Sequence, residues 1–175
     1  MKKSLRKSSL IPAKAGIYLF VFLFAFALNV NSQTYTDFTL PDLENNDVTL
    51  SSLLEKGPVM LSFWATWCTP CKEELKKMEE IYQKYKDKGF SYVALNIDNQ
   101  KSVAKVKSFV TSQGFSFIVL MDSDKKVFES FGGKEDEVPY YVIIKKDKTV
   151  MLSHLGFKTG DEREIELHIQ EALKN

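Results

Sequence analysis

Two hydrophobic rhythms alternate along this chain. After an extended opening at TYTDFTL and DVTL, with a short turn at Ser51 to Leu54, Gly57-Pro58 introduces VMLSFW, an apolar run that suits a buried strand. From Pro70 to about Lys88 the pattern turns helical and stops at Gly89, a good C-terminal glycine. FSYVALNI then reads as a strand, SVAKVKSFVTSQ as a helix ended by Gly114, and FSFIVLMD as a further strand. A helical piece from Lys125 to Phe131 runs into GGKEDE, and VPYYVIIKKDKTVMLSHLGF reads as two strands around a turn at Lys146 to Lys148. Asp161 to Leu173 closes the chain as an amphipathic helix with acidic residues in its first turn. Strands that alternate with helices and end in a hairpin and a helix predict an α/β domain, a mixed central sheet with helices on both faces.

The N-terminus breaks this rhythm. Lys2, Lys3, Arg6, Lys7 and Lys14 come without an acidic residue, and GIYLFVFLFAFAL, Gly16 to Leu28, follows and ends in NVNSQ. A basic stretch, a short apolar run and small residues near a cut site are the anatomy of a secretory signal. Val30 and Ser32 suit the positions three and one before cleavage, so residues 1–32 read as the signal and 33–175 as one domain. The alternative is an uncleaved anchor, which needs about 20 apolar residues to span a bilayer comfortably. No cysteine stands directly after the apolar run, which argues against a lipid anchor. Either way the domain is expected outside the cytoplasm, in the periplasm or anchored facing outward, where disulfides form and persist. Taking the five basic residues of the leader from 24 leaves 19 against 23 acidic ones, a net charge of −4. A basic stripe for nucleic acid is absent from such a domain.

The chemistry concentrates in LSFWATWCTPCKEEL, which holds Cys68 and Cys71, the chain's two cysteines. A disulfide across so short a loop gains only about 2 kcal/mol in the chain-entropy model, too little to explain it as a staple. A structural zinc site wants four ligands, and His154 and His168 stand far along the chain. A redox role has a mechanism. A cysteine just before the first helical turn meets unpaired N–H groups and the positive end of the helix dipole, and both stabilise thiolate. Cys68 is that cysteine, and Cys71, one turn later, is the natural resolving thiol. Pro70 suits the first turn, where its missing N–H has no helical partner. Trp67 offers a flat apolar surface to a docking polypeptide, while Phe63 and Trp64 belong to the core.

Projecting the helix at about 100° per residue puts Ile81, Tyr85, Met78, Cys71, Tyr82 and Leu75 on one arc, with Glu74 among them. Glu73 projects to the far side. A carboxylate on an apolar arc one turn from a thiol is a candidate proton acceptor with its pKa raised by desolvation.

FWATWCTPC, FTLPDLENNDVTLSSLLEKGPVML and EVPYYVIIKKDKTV together resemble the exported TlpA/ResA-like thiol-disulfide oxidoreductases of the thioredoxin superfamily, over essentially all of residues 33–175. The resemblance implies a thioredoxin fold with Cys68 attacking and Cys71 resolving, with a redox-active disulfide between them; no cofactor or metal is expected. It also implies a cis peptide before Pro139, with Val138 and Pro139 meeting the substrate beside Trp67, and a functional carboxylate at Glu74. Members of the family commonly reduce protein disulfides outside the cytoplasm, those of apocytochromes c among them, with electrons from a membrane donor. Two positions depart from the family's wider pattern. Thioredoxin's buried aspartate is Ser62 here, which leaves proton handling to Glu74 or water, and the proline that often kinks the helix is Lys76. Glu135, Asp136 and Glu137 crowd the approach to Pro139 with charge. Two rival readings on the same fold are a copper-delivery protein, with His154 as third ligand, and a thiol peroxidase. The first normally separates its cysteines by three residues, and the second does not need the vicinal pair.

Overall fold

The structure, a computed structural model, describes residues 35–135 and 137–174. The leader expected over residues 1–32, and Asp136 of the acidic run, lie outside them. The extended opening forms a small antiparallel hairpin, β1 (Thr39–Pro41) against β2 (Asp47–Thr49). Asp42 turns it, accepting the N–H groups of Glu44 and Asn46 at 2.8 Å each. Where the sequence reads only a turn at Ser51 to Leu54, the chain forms helix α1 (Leu50–Leu54), with Leu50, Leu53 and Leu54 buried. Their i, i+3, i+4 spacing is the shortest helical stripe that can be laid against a core.

The main sheet contains β3 (Val59–Trp64), β4 (Ser91–Asn96), β5 (Ile118–Met121), β6 (Tyr140–Ile144) and β7 (Val150–Leu155), in the order β5-β4-β3-β6-β7. β3, β4 and β5 run parallel, β6 pairs antiparallel with β3, and β7 antiparallel with β6. Helix α2 (Thr69–Tyr85) connects β3 to β4, α3 (Val103–Gln113) connects β4 to β5, the short α4 (Lys126–Ser130) precedes β6, and α5 (Asp161–Ala172) closes the fold. β3 is buried at every position because it is central and covered on both faces, which is why it reads as a continuous apolar run rather than an alternating one. β7 is an edge strand, and its last three residues are exposed.

The alternation of side chains sorts the core into two faces. Ser62 and Trp64 share one face with Tyr92, since Met60 pairs with Tyr92 and Ser62 with Ala94. That face receives α2, and Phe109 of α3 packs on Trp64 with ring centroids 5.5 Å apart. α5 joins it through Glu166, which accepts the Tyr85 hydroxyl at 2.9 Å. On the other face Phe63 packs on Phe128 of α4 at 5.2 Å. Helices therefore cover both faces of a mixed sheet, the architecture of a thioredoxin fold, as the sequence predicts. α2 runs unbroken over 17 residues, with Lys76 exposed on its surface. It passes into a 3-10 turn at Lys86–Lys88 and stops at Gly89, whose φ of 94° a side chain would resist.

Candidate active site

The site grows from the junction of β3 and α2. β3 ends at Trp64, and the chain turns through Ala65, Thr66 and Trp67 before the helix begins at Thr69 with Cys68 as its N-cap. This turn is fixed from the end of β4. The buried carboxylate of Asp98 accepts the Thr66 N–H at 2.7 Å and the Asn96 side-chain amide at 3.0 Å. The Asn96 side-chain oxygen accepts the Asp98 N–H at 3.1 Å. A charged group so well supplied with donors holds the segment before Cys68 in one conformation. Sequence reasoning passed over Asn96 and Asp98. The signal available was their position, two polar residues in and just after an apolar strand.

Cys68 and Cys71 form a disulfide, with Cα atoms 5.3 Å apart across the first turn of α2. The Cys71 N–H, one of the donors a helix N-terminus leaves without an internal partner, points at Cys68 Sγ from 3.2 Å. When the pair is reduced, that N–H and the helix dipole lower the energy of a Cys68 thiolate. The two sulfurs are not equivalent in access. Cys71 is completely buried, whereas Cys68, 4% exposed, follows Trp67, which is 55% exposed. The Val138 carbonyl oxygen stands 3.6 Å from Cys68 Sγ, and the Val138–Pro139 peptide is cis. Pro139 is held in turn, its carbonyl accepting the Gly156 N–H at 2.7 Å, while the Tyr140 hydroxyl donates to the Phe131 carbonyl at 2.7 Å.

Glu74 lies fully buried on the same helix face as Cys71. Its Oε1 accepts the Ser62 hydroxyl at 2.5 Å and the Tyr92 hydroxyl at 3.1 Å, while Oε2 is buried without a hydrogen-bond partner among the described residues. Burial pushes the Glu74 carboxyl up to about 7, against the two hydrogen bonds, which pull it down. Tyr92 is held well above its ordinary value, by burial and then by the Glu74 charge. Ser62, which sequence reasoning saw only as a missing aspartate, is thus a donor to the carboxylate that remains. Tyr92 went unremarked because a tyrosine in a buried strand ordinarily reads as core.

The other sequence-predicted residues fall elsewhere. His154 is exposed on β7 with its ring 5.3 Å from that of Tyr141, and His168 lies on α5. Among the described residues no three histidine, cysteine or acidic side chains group closely enough to hold a metal ion. His154 is not grouped with Cys68 and Cys71. Glu135 and Glu137 are exposed, Glu137 immediately before Val138.

Comparison with known proteins agrees with this geometry. Residues 30–168 match the Redoxin family. The chain is 38% identical over 128 residues to the thiol-disulfide oxidoreductase ResA of Bacillus thuringiensis (strain Al Hakam), covering 73% of this chain and 71% of that one. It is 32% identical over 137 residues to ResA of Geobacillus kaustophilus (strain HTA426), covering 78% and 75%. Among solved structures it resembles a Chlorobium tepidum protein provisionally assigned as the thiol:disulfide interchange protein DsbE. That match has a TM-score of 0.74 and 32% identity and covers 81% of this chain and 96% of the other.

Proposed function

The chain belongs to the Redoxin family, as a ResA-like member of the thioredoxin superfamily, and on that premise we propose that it is exported and reduces protein disulfides outside the cytoplasm. It is a thiol-disulfide oxidoreductase. The observation that carries the assignment of roles is the unequal access of the two sulfurs: Cys71 is sealed in the core, and Cys68 borders exposed Trp67 and the Val138 carbonyl. A partner disulfide can approach only Cys68.

In this reading the Cys68 thiolate attacks one sulfur of the partner disulfide, and the other partner sulfur leaves as a thiolate. Cys71 then gives up its proton, with Glu74 as acceptor, and attacks Cys68. The bond between Cys68 and the partner breaks as the Cys68–Cys71 disulfide forms. The partner gains two electrons, and the dithiol loses them. A polypeptide laid beside Val138 can pair with its backbone as an added strand, and exposed Trp67 offers it an apolar surface, which suits an unfolded or extended substrate. Apocytochromes c awaiting haem are such substrates, and a membrane donor would return the electrons.

The test is a trap. Cys71→Ala leaves Cys68 with no internal thiol to resolve the mixed disulfide, so it should accumulate covalent complexes that the unaltered protein releases. In the reduced protein Cys68 should also be alkylated well before Cys71. Faster alkylation of Cys71 would reverse the roles. Direction is read from the potential: a value below about −200 mV fits a reductase, and one near −120 mV an oxidant.

A further inference from the structure

The carboxyl group of Glu74 is bound asymmetrically. Both of its hydrogen bonds, from Ser62 and Tyr92, end on Oε1. Oε2 is equally buried and has no hydrogen-bond partner among the described residues. A buried carboxyl oxygen without a partner costs stability, and a group kept at that cost calls for an explanation. Cys71 is three residues earlier on the same helix, a spacing that puts the two side chains on neighbouring points of the buried face.

The two donors come from different strands. Ser62 sits in the middle of β3 and Tyr92 on β4, and both side chains are almost wholly buried, 1% and 0% exposed. Tyr92 is locked by Phe117, whose ring meets it edge-on at 4.8 Å, so its hydroxyl is aimed by packing. The arrangement converts a flexible glutamate, with two equivalent oxygens, into a fixed group with one oxygen occupied.

We propose that Ser62 and Tyr92 are positioning residues for the dithiol reaction: by binding one oxygen of Glu74 they orient the other to exchange the Cys71 proton. The proposal rests on Glu74 as proton acceptor for Cys71 and names the residues that make it one. In the mixed disulfide, the proton of the Cys71 thiol moves to Oε2, and the Cys71 sulfur bonds to Cys68 Sγ. The Cys68–partner bond breaks, and the partner leaves as a thiolate that is protonated from solvent. Glu74 later releases its proton to solvent, so charge and protons balance over the cycle. Because both donors stabilise the ionised carboxylate, they also set the pH at which Glu74 is ready to accept.

The titratable groups facing Glu74 are Cys71 on its own helix, Tyr92 on β4 and Tyr141 on β6, and Asp161 and Glu164 of α5 act on Tyr141. Burial holds both tyrosines above their ordinary values, so neither ionises in the neutral range. The influences that oppose burial at Glu74 are these two hydrogen bonds.

The test uses the reduced full chain, oxidised by saturating glutathione disulfide in a stopped-flow mixer and followed by tryptophan fluorescence. At saturation the rate reads resolution by Cys71. The unaltered protein should reach half its limiting rate near the point where Glu74 ionises, about 7. Tyr92→Phe and Ser62→Ala each remove one hydrogen bond and little volume. Each should move that midpoint upward by about one unit, which at neutral pH slows resolution by about fivefold and leaves the high-pH limit in place. In a Glu74→Gln background neither substitution should shift the profile further. If Glu74→Gln retains the midpoint of the unaltered protein, the role of Glu74 itself is wrong. If Glu74→Gln abolishes it but Tyr92→Phe and Ser62→Ala leave it in place, the positioning role alone is wrong. Infrared titration of the Glu74 carboxyl in the oxidised variants checks the same shift without turnover. Should one variant fail to fold, an unmoved carboxyl titration in the other overturns the proposal.

Discussion

Replacing Glu74 by glutamine should change how stability depends on pH, by an amount the structure lets one work out. The folded-state carboxyl titrates at about 7, because it is fully buried and desolvation outweighs the bonds from Ser62 and Tyr92, while the unfolded chain titrates near the ordinary value of 4.5. A raised acid pKa means that the folded protein holds a proton the unfolded chain has lost. Below about pH 4.5 both states are protonated and the group is neutral in the core. As pH rises from there to about 7, the unfolded state is favoured by roughly 1.4 kcal/mol per unit, and above the folded value the loss levels off. The whole window amounts to about 3 kcal/mol, a large part of a stability of roughly 5–15 kcal/mol. Glutamine keeps an oxygen for Ser62 and Tyr92 and cannot ionise. Its amide nitrogen takes the place of unpartnered Oε2, so the variant starts with a constant penalty that does not vary with pH. Urea unfolding of the oxidised protein and of oxidised Glu74→Gln, from pH 4.5 to 8, gives the comparison. The difference between the two stabilities should swing toward the variant by about 3 kcal/mol as pH rises, with most of the change below neutrality. Parallel curves would show that the Glu74 carboxyl titrates in the folded protein much as it does in the unfolded chain, and would remove the physical basis for its readiness near neutral pH.

Asp98→Ala leaves the Thr66 N–H and the Asn96 amide without their acceptor, and should cost about 1–3 kcal/mol in urea unfolding and slow thiol exchange at Cys68; an exchange rate equal to that of the unaltered protein would mean the turn needs no such support. Neutralising Glu135, Asp136 and Glu137 together should lower the Cys68 thiolate pKa, read from alkylation rate against pH, and flatten the salt dependence of reaction with a basic peptide disulfide. If neither quantity moves, the run is a solvated loop.

What the sequence made legible was what depends on local order. Cys68 at a helix start, Cys71 and Glu74 on one helix arc, and β3 as a continuous apolar run all follow from spacing along a single element, and periodicity reads such spacing directly. α1 was missed because five residues give too short a stretch for a helical period to stand apart from a turn. The misses at the site have a different cause. Asp98 grips Thr66 across 32 positions of sequence and Tyr92 reaches Glu74 across 18, and both contacts exist only because β4 lies beside β3 in parallel register. A tyrosine and an aspartate in or beside a strand carry no mark that shows which will be solvated and which will meet a carboxylate or an active-site turn. Yet the departure at Ser62 was a usable clue. A serine where relatives of the superfamily bury an aspartate leaves a polar atom in the core that must bond to something. The arc containing Glu74 pointed toward that same core. Pairing the two would have predicted a buried hydrogen bond between β3 and α2, and from it a search along the neighbouring strand for a second donor. The inference needed one topological fact beyond periodicity, that the strand after α2 returns parallel beside β3, which is the expected outcome of a right-handed crossover between consecutive strands.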